Sequence, residues 1–185
     1  MVRIETITSE EYKNEYSNFK ILYANHPTPF GNCLIGIRDT DKAIVHLTFA
    51  DKGLKDALRI LETDWPLSEL VEDNEHQTEK IVQNIFDENS KLDNSITVVL
   101  KGTEFQTAVW AAIMAIPQGT STTYEKVAQM ISKPKAIRAV ANALMKNKIA
   151  YIVPCHRVMG KSGSNKYTWG AERKQNILSF EKGLN

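Results

Sequence analysis

The chain has 185 residues, of which 42% are hydrophobic and 24% are charged, a balance typical of a globular protein. No apolar run approaches the roughly 20 residues of a membrane helix, and the acidic, polar residues 1–20 do not resemble a signal peptide. Two cysteines, Cys33 and Cys155, are too few for a disulfide framework. We therefore expect a cytoplasmic protein with reduced thiols and, since the remaining Cys and His residues are scattered, no bound metal.

The net charge of +1 conceals a difference between the two halves of the chain. Residues 1–100 carry 10 Lys and Arg against 18 Asp and Glu, a net charge of −8. Residues 101–185 carry 13 Lys and Arg against 4 Asp and Glu, a net charge of +9. Scattered charge usually marks only a solvated surface, but a separation of this size indicates a C-terminal half that binds a polyanion.

The first 100 residues predict a small α/β unit. Residues 1–18 are expected to form a tail or a single loose helix. Apolar runs and alternation then predict strands over 21–25, 33–38, 43–49 and 96–100, and apolar residues at helical spacing predict helices over 51–61 and 74–86. The dipeptide Trp65-Pro66 should end the first of these helices and separate it from the second.

The C-terminal half predicts helices. Thr103 is a suitable N-cap for a helix that ends before the sequence Pro117-Gln118-Gly119, and a second helix begins near Tyr124. Lys133-Pro134 leads into a third helix over 135–146, and two short helices joined by a tight turn predict a helix-turn-helix. Alanine is enriched in the third helix. Its alanines indicate either simple helix propensity or a backbone that must approach a partner closely.

The stretch Ile152-Val153-Pro154-Cys155-His156-Arg157-Val158 carries the most chemistry. A thiol reacts as its thiolate, and positive neighbours lower a cysteine pKa. We expect Arg157 to supply permanent charge and His156 either to act as a base or to carry charge. Cys-His adjacency alone is equally consistent with a small buried cysteine beside unrelated polar residues.

The surrounding residues distinguish these alternatives. Upstream lie Arg138-Ala139-Val140-Ala141-Asn142-Ala143 and Asn147-Lys148, and downstream lie Tyr167-Thr168-Trp169-Gly170, Glu172-Arg173-Lys174 and Glu181. With the Pro-Cys-His-Arg motif, this pattern resembles the repair alkyltransferases that act on O6-alkylguanine in DNA. The likeness is closest to the alkyltransferase half of the bacterial adaptive-response protein Ada, and it is densest over 102–181.

The resemblance implies an α+β protein. It implies a tail over 1–18, a ribonuclease-H-like α/β domain over 19–100, and an all-α winged-helix-like helix-turn-helix domain over 101–185. It further implies irreversible, single-turnover transfer of the alkyl group from O6-methylguanine, and from O4-methylthymine, to a cysteine after base flipping. No cofactor is implied, and the expected partner is double-stranded DNA bound through the minor groove by a monomer.

The resemblance also implies a role for each matching position. Cys155 matches the alkyl acceptor, His156 the residue that removes the thiol proton through a water, Glu181 the carboxylate that orients this histidine, and Asn147 a brace for the turn. Arg138 matches the residue that fills the vacated place in the base stack, and Tyr124 the residue that donates to the purine N3. The other expected positions are Ala136, Ala139 and Asn142 on the DNA-binding helix, and Val158, Tyr167, Thr168, Trp169 and Ala150 in the substrate pocket.

Two of these pocket positions predict a narrow pocket. Trp169 places an indole where many relatives carry a small residue, and Ala150 stands where some carry a proline. We therefore expect methyl groups to be accepted and benzyl groups to be accepted poorly, unless the indole turns away from the pocket.

Three other functions are compatible with parts of the pattern. One is a lesion-recognition protein of the alkyltransferase-like type. Such proteins lack the acceptor cysteine, so the presence of Cys155 argues against this function. A helix-turn-helix transcription factor is disfavoured because the cysteine-rich regulatory domain of the adaptive-response protein has no counterpart in this sequence. A cysteine hydrolase would not need the base-flipping pattern at Tyr124 and Arg138.

Overall fold

The computed structural model describes residues 2–87, 96–161 and 166–183. The chain forms two compact units, residues 1–102 and 103–185. None of the helices in the described part of the chain is long and apolar enough to cross a membrane. The mixed α/β composition expected from the sequence is confirmed.

The first unit contains a six-stranded mixed sheet with strand order β1-β6-β4-β3-β2-β5. Strand β3 pairs antiparallel with both β2 and β4. The other three pairings are parallel: β6 with β4, β1 with β6 and β5 with β2. The elements are β1 (Arg3–Ile7), α1 (Ser9–Glu15), β2 (Ile21–His26), β3 (Cys33–Arg38), β4 (Ile44–Phe49), α2 (Leu54–Asp64), β5 (Leu70–Glu72), α3 (Gln77–Phe86) and β6 (Thr97–Lys101).

The core of this unit follows from the apolar central strands. All six residues of β4 are buried, as are the first five of β3, so both faces of these strands are covered. A buried cluster that includes Ile21, Leu34, Leu61 and Trp65 packs where α2 meets the sheet. Helix α2 ends at Asp64, immediately before the predicted break at Trp65-Pro66.

The prediction of a tail or a loose helix over residues 1–18 is wrong. Residues Arg3–Ile7 form β1, which pairs in parallel register with Thr97–Lys101. Helix α1 follows with a capping box between Thr8 and Glu11, and the buried Tyr12 anchors it by edge-on contact with Trp65 at 5.0 Å between ring centroids. Strand β1 is partly polar because it lies at the sheet edge, and such a strand carries little apolar alternation to detect.

The second unit is mainly helical. Its elements are α4 (Glu104–Met114), β7 (Thr122–Thr123), α5 (Tyr124–Met130), α6 (Ile137–Met145), a 3-10 turn (Cys155–Arg157), β8 (Val158–Met159) and α7 (Ala171–Glu181). Thr103 and Gln106 form a capping box at the start of α4. The indole Nε1 of Trp110 donates to the Ala143 carbonyl at 2.9 Å, which joins α4 to α6.

The expectation of an all-α second unit is wrong in one respect that matters for the site. The two-residue strands β7 and β8 pair in parallel, Thr122 with Val158 and Thr123 with Met159. Thr123 also caps α5 by accepting from the Lys126 amide at 3.2 Å. The ladder therefore holds Tyr124, the first residue of α5, close to the turn that contains Cys155.

Candidate active site

Cys155 lies in a turn that is braced by Asn147. The Nδ2 group of Asn147 donates to the carbonyls of Ile149 at 3.3 Å and Val153 at 2.9 Å, and to the Cys155 sulfur at 3.3 Å. Its Oδ1 atom accepts from the Ile149 amide at 2.9 Å. Asn147 is only 2% exposed, so water does not compete for these bonds. One side chain thus fixes both the turn and the thiol.

His156 is held by Glu181 on α7. The imidazole Nε2 lies 2.8 Å from Glu181 Oε1, and both side chains are fully buried. Burial raises the Glu181 pKa, but hydrogen bonds from His156 and Arg157 outweigh this effect and lower it to about 2. Because the carboxylate is ionised, Nε2 carries the hydrogen and Nδ1 keeps its lone pair.

The buried Nδ1 atom of His156 has no hydrogen-bond partner among the residues that the structure describes. Burial lowers the His156 pKa, and the bond to Glu181 opposes this effect only in part. The imidazole is therefore neutral at physiological pH. A neutral imidazole with an open lone pair can accept a proton.

Arg157 does not play the role expected from the sequence. Its guanidinium donates to both carboxylate oxygens of Glu181, with distances of 2.6 to 3.1 Å, and to the Ile116 carbonyl at 2.7 Å. The prediction that Arg157 activates the neighbouring thiol is wrong, because adjacent side chains in a 3-10 turn point in different directions. Arg157 instead fixes the carboxylate that holds His156.

The loop before β7 completes the enclosure of Glu181. The Gly119 amide donates to Glu181 Oε2 at 3.1 Å. Gly119 has φ of +74°, and a Cβ atom there would lie 3.0 Å from the Glu181 carbonyl oxygen. Glycine is therefore required at this position both by the backbone conformation and by the close approach of α7.

The thiol of Cys155 is protonated in the resting protein. Burial raises its pKa to about 11, and the bond from Asn147 and the charge of Lys174 oppose this shift. A buried thiol with a high pKa needs a base at the moment of reaction, which is the role that the geometry of His156 permits.

Lys174 is the site residue that sequence reasoning missed. Its side chain is fully buried, and Nζ donates to the Val158 carbonyl at 2.7 Å. Burial lowers its pKa, and coupling to Cys155, whose thiolate would be negatively charged once formed, opposes this shift. The available signal was its place on the buried face of α7, three and four residues before the buried Ile177 and Leu178.

Replacing Lys174 with Met should slow alkylation of the Cys155 thiol by iodoacetamide about threefold to tenfold. Methionine keeps the apolar volume but removes the positive charge, so the thiolate becomes harder to form. The measurement is the pseudo-first-order rate of mass addition at pH 8. Lys182→Met is the control, because Lys182 is exposed at the end of α7. An unchanged rate for Lys174→Met would exclude an electrostatic role for this lysine.

A cavity of about 650 Å³ opens beside the thiol. The described residues that line it are Tyr124, Ala141, Leu144, Met145, Cys155, Lys166, Tyr167 and Thr168. Burial, and secondarily coupling to the Cys155 thiolate when it forms, raise the Tyr124 pKa, so its hydroxyl stays protonated and can donate. The buried hydroxyl of Tyr167 has no hydrogen-bond partner within the described ranges. An apolar cavity with two such phenols suits a flat polar ligand.

Three of the expected pocket residues do not line this cavity. Val158 and Ala150 are buried, and the Val158 carbonyl is occupied by Lys174. Trp169 is 8% exposed and packs edge-on against Tyr167 with 5.2 Å between ring centroids. Any effect of the indole on the cavity must therefore act through Tyr167. Side-chain direction of this kind is set by packing and is weakly encoded in local sequence.

Helix α6 presents a polar and small-residue face next to the cavity wall. Arg138, Ala139 and Asn142 are exposed and Ala136 is half-buried, whereas Val140, Ala143 and Leu144 are buried. Ala141 and Leu144 of the same helix line the cavity. Arg138 precedes Ala141 by three residues and Met145 by seven, so it lies on the same side of α6 as these two cavity-lining residues.

The geometry defines a class of protein that uses a buried cysteine, served by a carboxylate-held histidine, beside a pair of short helices. A family model described as the DNA-binding domain of 6-O-methylguanine DNA methyltransferase matches residues 104–183. The chain is 37% identical to the inducible methylated-DNA–protein-cysteine methyltransferase of Bacillus subtilis, over 79% of this chain and 83% of that protein. The chain therefore belongs to the methylated-DNA–protein-cysteine methyltransferase family, which confirms the resemblance seen in the sequence.

Other relatives extend the match to nearly the whole chain. The chain is 32% identical to the bifunctional transcriptional activator/DNA repair enzyme Ada of Escherichia coli, over 95% of this chain and 49% of that protein. It spans about half the length of several curated relatives, including Ada. The structure of Mycobacterium tuberculosis OGT in complex with DNA has a TM-score of 0.67 and 28% identity, covering 88% of this chain and 94% of that one.

Proposed function

We propose that the protein repairs alkylated DNA by transferring the alkyl group of O6-methylguanine, and of O4-methylthymine, to the sulfur of Cys155. The observation that carries the proposal is a pair of buried contacts on adjacent residues, Asn147 to the Cys155 sulfur and Glu181 to His156, beside a cavity lined by Cys155 and two tyrosines. Membership of the methyltransferase family supports the choice of substrate.

The reaction follows from the protonation states of the site. His156 Nδ1 takes the thiol proton through a water, and the sulfur then attacks the alkyl carbon in line with its bond to O6. That bond breaks, and its electrons pass to the departing guanine, whose N3 accepts a hydrogen bond from the Tyr124 hydroxyl. The proton that His156 removed from the thiol returns through the water to the guanine anion, which leaves His156 neutral again. The products are guanine and a thioether. Since no group in the site can cleave a thioether, each molecule acts once and needs no cofactor.

The test is a repair assay with a duplex that contains a single O6-methylguanine. Restoration of guanine should stop when the lesions repaired equal the protein molecules added. Repair that continues beyond one lesion per molecule would contradict a consumed acceptor. Loss of the methyl group without its appearance on protein would favour a hydrolytic function.

For DNA recognition, we propose that α5 and α6 act as a helix-turn-helix that enters the minor groove of duplex DNA. The support is the exposure of Arg138, Ala139 and Asn142, the small Ala136 at the start of α6, and the +9 charge of residues 101–185. The minor groove carries little sequence information, which suits repair at any site. We further propose a monomer that acts in the cytoplasm, with a ribonuclease-H-like first unit and a winged-helix-like second unit.

Replacing Arg138 with Ala should slow duplex repair about 30-fold but reaction with free O6-methylguanine less than twofold. Only the duplex requires a base to be flipped out, and an unfilled stack costs a few kcal/mol. Lys126→Ala, an exposed cation on α5, is the matched control. Equal losses on both substrates would show that Arg138 does not fill the stack.

The affinity of the wild type for duplex DNA should also fall steeply as the salt concentration rises.

We propose that the pocket does not accept benzyl groups, because the indole of Trp169 packs against Tyr167 and holds it in place. Trp169→Gly should increase the rate with free O6-benzylguanine about tenfold, because Tyr167 loses its edge contact and can move back. The control is Trp169→Phe, which keeps an aromatic support. A wild-type rate that already equals that of Trp169→Gly would contradict a narrow pocket.

A further inference from the structure

Tyr151 has an unusual backbone conformation. Four non-glycine residues in the described part of the chain have positive φ: Lys42, His76, Ser132 and Tyr151. The first three are exposed, whereas Tyr151 is buried at 7% exposure and has φ of +66°. A bulky residue in this region is strained, and such strain persists only where the surrounding structure enforces it.

The strain lies inside the turn that leads to the thiol. The Ile152 amide donates to the Ala150 carbonyl at 2.7 Å, so three residues form a γ-turn with Tyr151 at its centre. The Val153 amide donates to the Ile149 carbonyl at 3.1 Å and closes the wider loop. These two hydrogen bonds hold Tyr151 in its left-handed conformation, in the turn that leads to Cys155.

The ring of Tyr151 lies nearly parallel to the imidazole of His156. Their centroids are 6.0 Å apart and their planes differ by 15°. Tyr167 contacts the same imidazole edge-on, with centroids 6.3 Å apart and an interplanar angle of 86°. Both geometries are among those that aromatic rings prefer. His156 is thus held by a carboxylate at Nε2 and by two phenol rings.

We propose that Tyr151 is a positioning residue for His156, setting the plane of the imidazole so that Nδ1 faces the thiol. The proposal rests on the proposed function, in which Nδ1 receives the thiol proton. A single hydrogen bond at Nε2 tolerates a range of ring orientations. A parallel ring on a strained, fixed turn narrows the range of imidazole orientations. This restriction is the function that we assign to the strained conformation.

The charged groups around His156 come from two elements. Glu181 and Lys174 lie on α7, and Arg157 follows His156 in the 3-10 turn; Glu181 raises the His156 pKa, and the two cations lower it. Burial and the charge of Glu181 raise the Tyr151 pKa to about 12, against the opposing charge of Arg157. The Tyr151 hydroxyl therefore keeps its proton at neutral pH, and the ring adds bulk rather than charge.

The test separates the ring from the backbone. Tyr151→Asn removes the ring but tolerates positive φ, and Tyr151→Phe keeps the ring. Tyr16→Asn is the matched control, because Tyr16 is 37% exposed in the first unit. The measurements are the His156 pKa and tautomer by nitrogen-15 NMR of the DNA-free protein, and the single-turnover rate of methyl transfer. If Tyr151→Asn does not fold, Tyr151→Leu, which keeps apolar volume, replaces it.

Tyr151→Asn should raise the His156 pKa toward its ordinary value, mix its two tautomers and slow methyl transfer about tenfold, with unchanged affinity for DNA. Tyr151→Phe should restore the wild-type pKa and most of the rate. Wild-type NMR parameters and rate in Tyr151→Asn, or equal damage in the Phe and Asn variants, would overturn the proposal. Failure of the wild type to methylate Cys155 would instead refute the proposed function, and the NMR comparison would still decide the role of Tyr151.

Discussion

Replacing Cys155 with Ala will abolish alkyl transfer and leave the affinity for duplex DNA within about a factor of two of the wild type. The sulfur is the atom that forms the new bond, and no other group in the described cavity lining is a comparable nucleophile. Affinity comes from contacts to the phosphates and the groove, which this change does not touch. The measurements are single-turnover repair and fluorescence anisotropy at fixed salt.

The matched control is Cys33→Ala. Cys33 is fully buried on β3 and does not line the described cavity, so an alkyl group has no access to its sulfur. This variant should repair DNA at the wild-type rate if it folds, which thermal melting checks. Residual methyl transfer by Cys155→Ala, or its loss in a folded Cys33→Ala protein, would place the acceptor elsewhere.

Replacing Glu181 with Gln will reduce the rate of transfer about 100-fold or more and lower the free energy of unfolding by about 3–5 kcal/mol. The amide no longer fixes the Nε2–H tautomer of His156. The guanidinium of Arg157, 13% exposed, loses its charged bidentate partner and keeps its bond to the Ile116 carbonyl. Single-turnover kinetics and urea denaturation measure the two effects, and Glu172→Gln, an exposed change on the same helix, is the control.

The pH dependence of stability gives an independent check on Glu181. Its folded-state pKa of about 2 lies below the ordinary value of 4.5, so its stabilisation is present above pH 4.5 and is lost as pH falls toward 2. His156 acts in the same direction, because its lowered pKa makes the unfolded state take up a proton first as pH falls below 6.5. Glu181→Gln should be less sensitive to acid than the wild type. Equal acid sensitivity would mean that Glu181 does not carry this stabilisation.

Local signals predicted much of this fold correctly. The cap at Thr103, the break at Trp65-Pro66 and the strand over Cys33–Arg38 are each encoded within a few residues, and the structure confirms them. The edge strand Arg3–Ile7 escaped prediction because its stability comes from pairing with Thr97–Lys101, more than 90 residues away. Sequence spacing alone does not report such a distant partner.

The site shows the same division. The motif around Cys155 follows from residue type and order, whereas the role of Glu181 came from the family resemblance. The structure joins His156 to Glu181 at 2.8 Å. Long side chains were harder to predict, since Arg157 turns to Glu181 and Lys174 reaches into the core to the Val158 carbonyl. Their directions depend on packing around the whole second unit rather than on neighbours in sequence.

The destination of the alkyl group is the central feature of the proposed reaction. The decisive measurement is peptide mass mapping after the wild type has reacted with one equivalent of duplex carrying O6-methylguanine. We predict one methyl group per molecule, on the peptide that contains Cys155, with guanine restored in the DNA. A methyl group on any other residue, or guanine restored without a methylated protein, would contradict transfer to Cys155.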